Sequence, residues 1–506
     1  MLRRDLPPFQ DLRDFMARLE AAGELVRIRE PVSVVNEVTE IHRRALEREG
    51  PALLFEQPVR ADGRPSAMPL LANLFGTVRR VAWGLGIEPA RLPELGAALA
   101  ALRHPVPPRD LGEAWQNLPL IRAALSMRPK AVGSPPCQAE ILTGAAIDLG
   151  RLPAQIPWPG EPAPSITWPL VVTRSPDGED ENVGVYRMQV LGRDRAIMRW
   201  LAHRGGAGHH RLWRDRGLDM PVAVAIGANP ATMLAAAMPL PEAVPELQFA
   251  GLLGGRRARL ARAASVPLMV PAEAEIVIEG LVSATETAPE GPYGDHTGYY
   301  NAVEDFPVMR VTAMTLRQRP VYVSTFAGHP PDEPSRIGEA FNPLFVPLAR
   351  QHLPEIVDLW LPPEACSYRV AVVAIDKRYP GQARRVMLGL WSLLPQFTYT
   401  KLIIVVDRDI DIRDWRSVMW ALSTCADTSR DLVAIDDTPI DYLDFASPKP
   451  GLGGKLGIDA TTKIGPETAR AWGRRLAMDP EVCARVEAIC AGLGLDGRDA
   501  APEPRP

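Results

Sequence analysis

Apolar spacing sets the first elements. Leu12, Phe15, Met16 and Leu19 recur on one helical face, with Asp11 as N-cap and Gly23 as stop. Leu25 to Arg29 then reads as a strand, and Val38–Glu49 and Ala90–Leu102 as helices. From about Pro129 to Gln318 the period becomes two. Strands are predicted over Ile166–Thr173, Val183–Leu191, Val222–Ile226, Ala274–Val282 and Val308–Leu316, interrupted by helices at Ala231–Met238 and Glu246–Leu253. Short strands separated by Gly, Pro and Asp turns favour a barrel or sandwich. Beyond Arg319 strands and helices alternate: strand Tyr368–Ile375, helix Gln382–Leu394, strand Leu402–Val406, helix Trp415–Thr424, strand Leu432–Ile435. Apolar strand runs in that order imply a mainly parallel, helix-covered sheet.

A chain of 506 residues carries about two to four domains. Its net charge of −4 excludes an electrostatic case for nucleic acid or an anionic membrane. The five cysteines, Cys137, Cys366, Cys425, Cys483 and Cys490, are scattered without a C-x-x-C pair, which fits a reducing cytosol better than a disulfide framework. The start, Met1 to Pro8, has no apolar core of a signal peptide. The most apolar window, Pro221–Pro241, is interrupted by Asn229, Pro230 and Pro239 and does not read as a membrane span. Arg103–Arg109, rich in proline, reads as a linker, and Ala500–Pro506 as a frayed tail.

The segment Glu290-Gly-Pro-Tyr-Gly-Asp-His-Thr-Gly-Tyr-Tyr300 spaces two carboxylates, Glu290 and Asp295, on a glycine-rich backbone. Such a segment can fix two acids for acid–base work, or it can be a polar surface turn. Asn182 and Arg187 lie near a strand start; Arg187 suits carboxylate or phosphate, or a surface ion pair. Arg199-Trp-Leu-Ala-His-Arg-Gly-Gly-Ala-Gly208 could hold a phosphate or be a helix end capped by glycines. Glu246 opens a helix, where an acid complements the dipole. Alternatively Asn182, His203 and Glu246 would form a hard site suited to Mg²⁺ or Mn²⁺. Gly451–Gly457 lacks the Ser or Thr of a Walker loop after Lys455 and reads as a packed loop. Asp407–Asp414 interleaves acids with arginines and reads as a solvated loop.

Asn182–Arg187, Arg199–Gly205, Glu246–Leu253 and Glu290–Tyr300 together resemble the UbiD decarboxylases, and the resemblance runs from about Leu12 to Cys490. It implies an α+β multidomain fold: an N-terminal α/β domain over 1–125, a flavin-reductase-like split β-barrel over 126–325 that binds the cofactor, and a C-terminal α/β domain with a mainly parallel sheet over 326–506. It also implies prenylated FMN, Mn²⁺ and K⁺, a homohexamer, and a separate flavin prenyltransferase as cofactor supplier. By position, Asn182, His203 and Glu246 are implied metal ligands. Asn182, Val185, Tyr186, Arg187, Arg199, Trp200, Leu201, His203, Arg204, Gly205 and Glu246 are implied cofactor contacts. Arg187, Glu290 and Asp295 match the family's Arg–carboxylate–carboxylate set; Asp295 would protonate the substrate carbon, and a dry pocket is expected to raise its pKa. Asp in the third place, where relatives acting on acrylic acids carry Glu, leans toward aromatic acids. Tyr399-Thr-Lys401, Thr438–Ser447 and Gly457–Thr461 narrow the expectation to decarboxylation of 4-hydroxy-3-polyprenylbenzoate in ubiquinone biosynthesis. That implies a cytoplasmic enzyme, with peripheral contact at the inner face of the cell membrane. The alternatives are a decarboxylase of another aromatic or α,β-unsaturated acid, and a non-catalytic flavin- and metal-binding protein.

Overall fold

In a computed structural model the structure describes residues 4–103, 125–201, 204–238, 245–393 and 395–493. The Arg103–Arg109 linker beyond its first residue, His203 and the Ala500–Pro506 tail lie outside the described residues. The chain forms two compact units, Met1–Leu344 with Pro363–Ser367, and Phe345–Pro362 with Tyr368–Pro506. Among the described residues no helix is long and apolar enough to cross a membrane.

The first unit begins as the spacing predicts. The helix Leu12–Ala21 buries Leu12, Phe15 and Leu19, and the Asp11 side chain accepts the Asp14 N–H at its start. A four-stranded sheet follows in the order Leu25–Ile28, Ala52–Phe55, Leu70–Ala72, Tyr322–Val323.

Among the described residues the larger sheet of this unit has nine strands. Its path runs Glu181–Val185, Leu170–Arg174, Met220–Ile226, Ile276–Glu290, Glu304–Leu316, Arg195–Met198, Met188–Val190, Ser165–Ile166. Glu140–Thr143 pairs beside Glu304–Leu316, and every ladder is antiparallel. Glu181–Val185 and Met188–Val190 are separated only by Tyr186 and Arg187, yet stand six strand spacings apart along this path. Flat, that gap would be about 29 Å at about 4.8 Å per strand. Three Cα steps reach at most about 11 Å. The sheet must therefore curl, and Tyr186-Arg187 crosses the mouth of the half-barrel. This is why the single strand expected over Val183–Leu191 is two. The strand expected over Ile166–Thr173 is likewise divided, at Thr167-Trp168-Pro169, where the proline has no N–H for a ladder.

A third helix, Gly205–Arg214, was not legible in this region. Its opening glycines are poor helix formers, and the capped-helix-end reading took them as a stop. They begin the helix because neighbours leave no room. A Cβ at Gly205 would lie 2.3 Å from Asn182 Oδ1, and one at Gly206 would lie 2.8 Å from Trp200 Nε1.

The second unit holds a five-stranded sheet in the order Ile356–Trp360, Val370–Ile375, Leu402–Asp407, Leu452–Ala460, Leu432–Pro439. The middle three strands run parallel and the two edges antiparallel. Trp360, Val372, Ile404, Val406, Val418 and Ala421 form part of its core. The segment read as a packed loop, Gly451–Gly457, mostly belongs to an interior strand of this sheet. Glycine leaves room there for the covering helix Gln382–Trp391: a Cβ at Gly457 would stand 2.5 Å from Met387 Sδ, and that side chain would have to shift. Asp407 ends the strand Leu402–Asp407, and the loop after it, expected to be solvated, buries Ile410 and Ile412 in the core before Asp414 caps the helix Trp415–Cys425.

Candidate active site

The long strand Ile276–Glu290 delivers Glu290 to the half-barrel, fully buried. The chain then turns at Gly291, whose φ of +97° suits glycine, and the Gly291 N–H donates to Gln189 Oε1 at 3.0 Å. A tight turn follows: Asp295 N–H donates to the Tyr299 carbonyl at 3.0 Å, and Gly298 N–H to the Asp295 carbonyl at 2.9 Å. Asp295 is therefore carried inward, at 7% exposure, rather than out on a surface turn.

Arg187, on the two-residue crossing, meets both acids. Its Nε and Nη2 donate to Glu290 Oε1 and Oε2 at 2.8 and 3.2 Å, and Nη1 donates to Asp295 Oδ2 at 2.6 Å. The guanidinium carbon sits 3.8 Å from the Tyr293 ring centroid. Arg199 Nε lies 3.3 Å from Glu290 Oε2. Asn301 Nδ2 reaches that same oxygen at 3.4 Å, while its Oδ1 accepts the Tyr293 N–H at 2.8 Å. A planar fork shared between two buried carboxylates is strong electrostatics in a low-dielectric setting.

Charge in the cluster is set by these contacts. Burial pushes the Asp295 carboxyl up, but His296 and the Arg187 and Arg199 charges outweigh it, holding Asp295 well below the usual carboxylate range. The His296 backbone N–H donates to Asp295 Oδ1 at 2.8 Å, with Nδ1 2.9 Å from the same oxygen. The expected rise at Asp295 is thus reversed in this state, because the pocket is dry but not uncharged. Burial lowers Arg187, yet Asp295 and Glu290 bring it above its ordinary value. Burial, then the Arg187 charge, lowers Arg199.

A second group of residues adjoins this cluster through Tyr186 and Arg187. The helix Gly205–Arg214 has no side-chain cap at its N-terminus, and the Gly206 N–H donates to Tyr186 Oη at 3.3 Å. Asn182 Nδ2 donates to the same hydroxyl at 3.2 Å. Trp200 Nε1 is buried without a hydrogen-bond partner among the described residues. Glu246 Oε2 accepts the Val183 N–H at 3.0 Å, which brings it beside Asn182, and burial raises its pKa. A glycine-rich, uncapped helix start with an orphaned indole N–H beside it fits an anionic phosphate. A buried carboxylate next to an amide side chain fits a hard divalent cation. The third donor of that set, His203, lies outside the described residues.

Models of the 3-octaprenyl-4-hydroxybenzoate carboxy-lyase N-terminal, Rift-related and C-terminal domains match residues 16–99, 130–330 and 335–460 in that order. The chain belongs to the UbiD family of carboxy-lyases. The UbiD-class enzyme HmfF from Pelotomaculum thermopropionicum, solved in complex with FMN, is 28% identical over 94% of this chain and 98% of its own, with a TM-score of 0.77. Vanillic acid decarboxylase from Sedimentibacter hydroxybenzoicus, in closed form, is 25% identical over 96% of this chain and 99% of its own, with a TM-score of 0.82. The apo 3,4-dihydroxybenzoic acid decarboxylase of Klebsiella pneumoniae, 23% identical over 94% and 99% with a TM-score of 0.75, shares the fold.

Within this UbiD chain the residues singled out in the sequence occupy two adjoining groups. Arg187, Glu290 and Asp295 form the ion-pair cluster. Asn182, Tyr186, Trp200, Gly205 and Glu246 gather around the glycine-rich helix start, with Arg204 as its N-cap residue. Val185 ends the strand before the crossing, and Leu201 follows Trp200 at the edge of the described segment. Sequence reasoning missed Gln189, Asn301 and Glu161. Each supports the turn by hydrogen-bonding its backbone, and Asn301 also reaches Glu290; no motif spacing marks them.

Proposed function

We propose that this chain decarboxylates 4-hydroxy-3-polyprenylbenzoate to a 2-polyprenylphenol in ubiquinone biosynthesis, using prenylated FMN. The observation that carries the reading is the Arg187–Glu290–Asp295 cluster, buried beside a helix start suited to a phosphate. HmfF in complex with FMN and the vanillic acid decarboxylase support a flavin-type cofactor and an aromatic acid. We read the curled sheet as a flavin-reductase-like split barrel.

Asn182, Glu246 and His203 would hold Mn²⁺, with K⁺ as a further ion. Arg199, Trp200, Leu201, Arg204, Gly205 and the Val185–Arg187 crossing would hold the cofactor. The prenylated flavin supplies the electron sink that no side chain offers. The protein supplies orientation and a proton. Glu290 occupies two arms of the Arg187 fork and fixes its plane. A substrate carboxylate reaching Arg187 competes with Asp295 for the third. Once that partner is lost, burial at Asp295 is opposed only by His296 and Arg199, and its carboxyl moves toward taking up a proton. The bond from ring carbon to carboxylate breaks, CO₂ leaves, and Asp295 delivers its proton to that carbon.

The test is CO₂ release from a short-chain 4-hydroxy-3-prenylbenzoate, with protein co-expressed with a flavin prenyltransferase and kept anaerobic. Cofactor-dependent release supports the reading. No release with intact cofactor bound removes it. A second reading, another aromatic or α,β-unsaturated acid, is favoured by the similarity to vanillic acid decarboxylase; a substrate panel separates the two. The reading further places the enzyme in the cytoplasm as a homohexamer, touching the inner membrane face where a polyprenyl substrate resides.

A further inference from the structure

Glu161 has no part in the chemistry above, yet it sits directly behind it. It is 7% exposed, and its Oε1 accepts the Gly294 N–H at 3.0 Å, one residue before Asp295. Its Oε2 is buried with no hydrogen-bond partner, and no ion pair reaches the residue, among the described residues. The segment around it is fixed to the same turn at further points. Tyr300 Oη donates to the Pro159 carbonyl at 2.5 Å. The Trp158 ring fills the space where a Gly294 Cβ would stand, 2.2 Å from Cδ1. Trp158 Nε1 in turn donates to the Ala327 carbonyl at 2.8 Å.

The buried Gly294 N–H needs an acceptor. A neutral amide or a carbonyl would satisfy it without the cost of burying an acid. An acid placed there instead brings a charge or a proton next to the cluster. Burial pushes the Glu161 carboxyl up to about 7, with the Gly294 and Trp158 backbone hydrogen bonds and the Arg187 charge opposing and Glu290 adding. Arg187 on the crossing, Glu290 at the strand end and Tyr293 on the turn are the charged and titratable groups that sense it.

We propose that Glu161 is a positioning residue: its hold on the Gly294 N–H fixes the turn that presents Asp295 to Arg187. The inference rests on the decarboxylase reading for its kinetic consequence, but not for the clasp itself. The charged carboxylate is the stronger acceptor. The clasp therefore tightens as pH rises through the titration of Glu161.

The experiment pairs hydrogen–deuterium exchange over residues 291–301 with steady-state CO₂ release. It compares wild type, Glu161→Gln and Glu161→Ala. In wild type, exchange corrected for its intrinsic pH dependence slows between about pH 6 and 8. In Glu161→Gln, which keeps an acceptor oxygen but cannot ionise, that pH dependence disappears. In Glu161→Ala the segment exchanges faster, and kcat falls by about 10–10²-fold at unchanged KM and cofactor content, as misplacement of a reacting group predicts; Glu161→Gln restores most of it. Wild-type exchange in Glu161→Ala, or a pH dependence that survives in Glu161→Gln, overturns the proposal. The glutamine variant decides the matter if the alanine variant does not fold. Should wild type turn over no acid, the exchange results still decide the clasp, so the two readings fail separately.

Discussion

Arg187 Nη1 and Asp295 Oδ2 meet at 2.6 Å, although 108 positions separate the residues in sequence. Together with His296, the contact explains how the acid proposed to protonate carbon can rest in its ionised form. His296 and Arg187 together hold Asp295 down, so in the proposed reaction a substrate carboxylate that draws off the guanidinium would ease proton uptake.

Replacing Asp295 by Asn keeps the volume and removes the proton. Arg187 retains both bonds to Glu290, so the fold and bound cofactor are expected to remain. Loss of one positioned proton donor costs about 10²–10⁴ in rate. Cofactor absorbance and CO₂ release on the same preparation check this, and full turnover would remove Asp295 from the role.

Arg187 also has a structural duty, because it neutralises two acids that have little or no water. Glu290 is 0% exposed and Asp295 7%. Removing one partner of a buried pair costs about 3–5 kcal/mol. Arg187→Ala is therefore expected to lower the urea midpoint of the first unit as well as abolish turnover. Arg187→Lys keeps the charge but not the planar fork that serves both acids. It should fall between wild type and alanine in stability while still losing activity.

The helix start gives a third test. Alanine is normally the better residue inside a helix by about 1 kcal/mol. At Gly205 the added methyl would stand 2.3 Å from Asn182 Oδ1 and must displace it. Gly205→Ala should leave the thermal midpoint near wild type while weakening metal retention by about 10–100-fold, the usual effect of disturbing groups that support a metal site. Elemental analysis after desalting reads the metal directly. Retention equal to wild type would detach Asn182 from the ligand set.

Local chemistry made much of this legible. Periodic faces such as Leu12, Phe15 and Leu19, and apolar runs such as Leu402–Val406, are decided by burial over a few residues, which a sequence displays. The spacing of Glu290 and Asp295 left a surface turn equally open, and their grouping with Arg187 came from the resemblance to the UbiD decarboxylases. What stayed hidden depends on distant neighbours. Nothing near Gly457 announces Met387, and nothing near Gly205 announces Asn182, so one glycine-rich stretch read as a loop and the other as a helix end. The break at Tyr186-Arg187 follows from closure of the sheet, a long-range constraint. The ionisation of Asp295 was misjudged because burial was weighed without the groups that oppose it: His296, next to it in the motif, and Arg187, which comes from another strand end.

A buried pair away from the site gives a pH prediction with a definite shape. Glu333 Oε1 accepts the Phe75 N–H at 2.6 Å, and Oε2 lies 3.6 Å from His42 Nε2, both side chains being fully buried. Burial raises Glu333 to about 7 and lowers His42 to about 3. The native pair thus holds its one proton on Glu333 across most of that range. The raised carboxyl contributes stability below its ordinary value of 4.5 and loses it as pH rises through about 7. The lowered imidazole contributes above 6.5 and loses it as pH falls toward 3. Between 4.5 and 6.5 the unfolded chain carries its one proton on His42 and the native chain on Glu333, so the two slopes cancel. The pair should give a plateau there with decline on both sides. Glu333→Gln should remove the alkaline decline, which runs only from about 6.5 to about 7 and is worth under about 1 kcal/mol at 1.36 kcal/mol per unit, and should leave stability rising with pH to near 6.5. Urea midpoints from pH 4 to 8 for wild type and this variant check the shape. Parallel curves would mean that Glu333 does not titrate as its burial dictates.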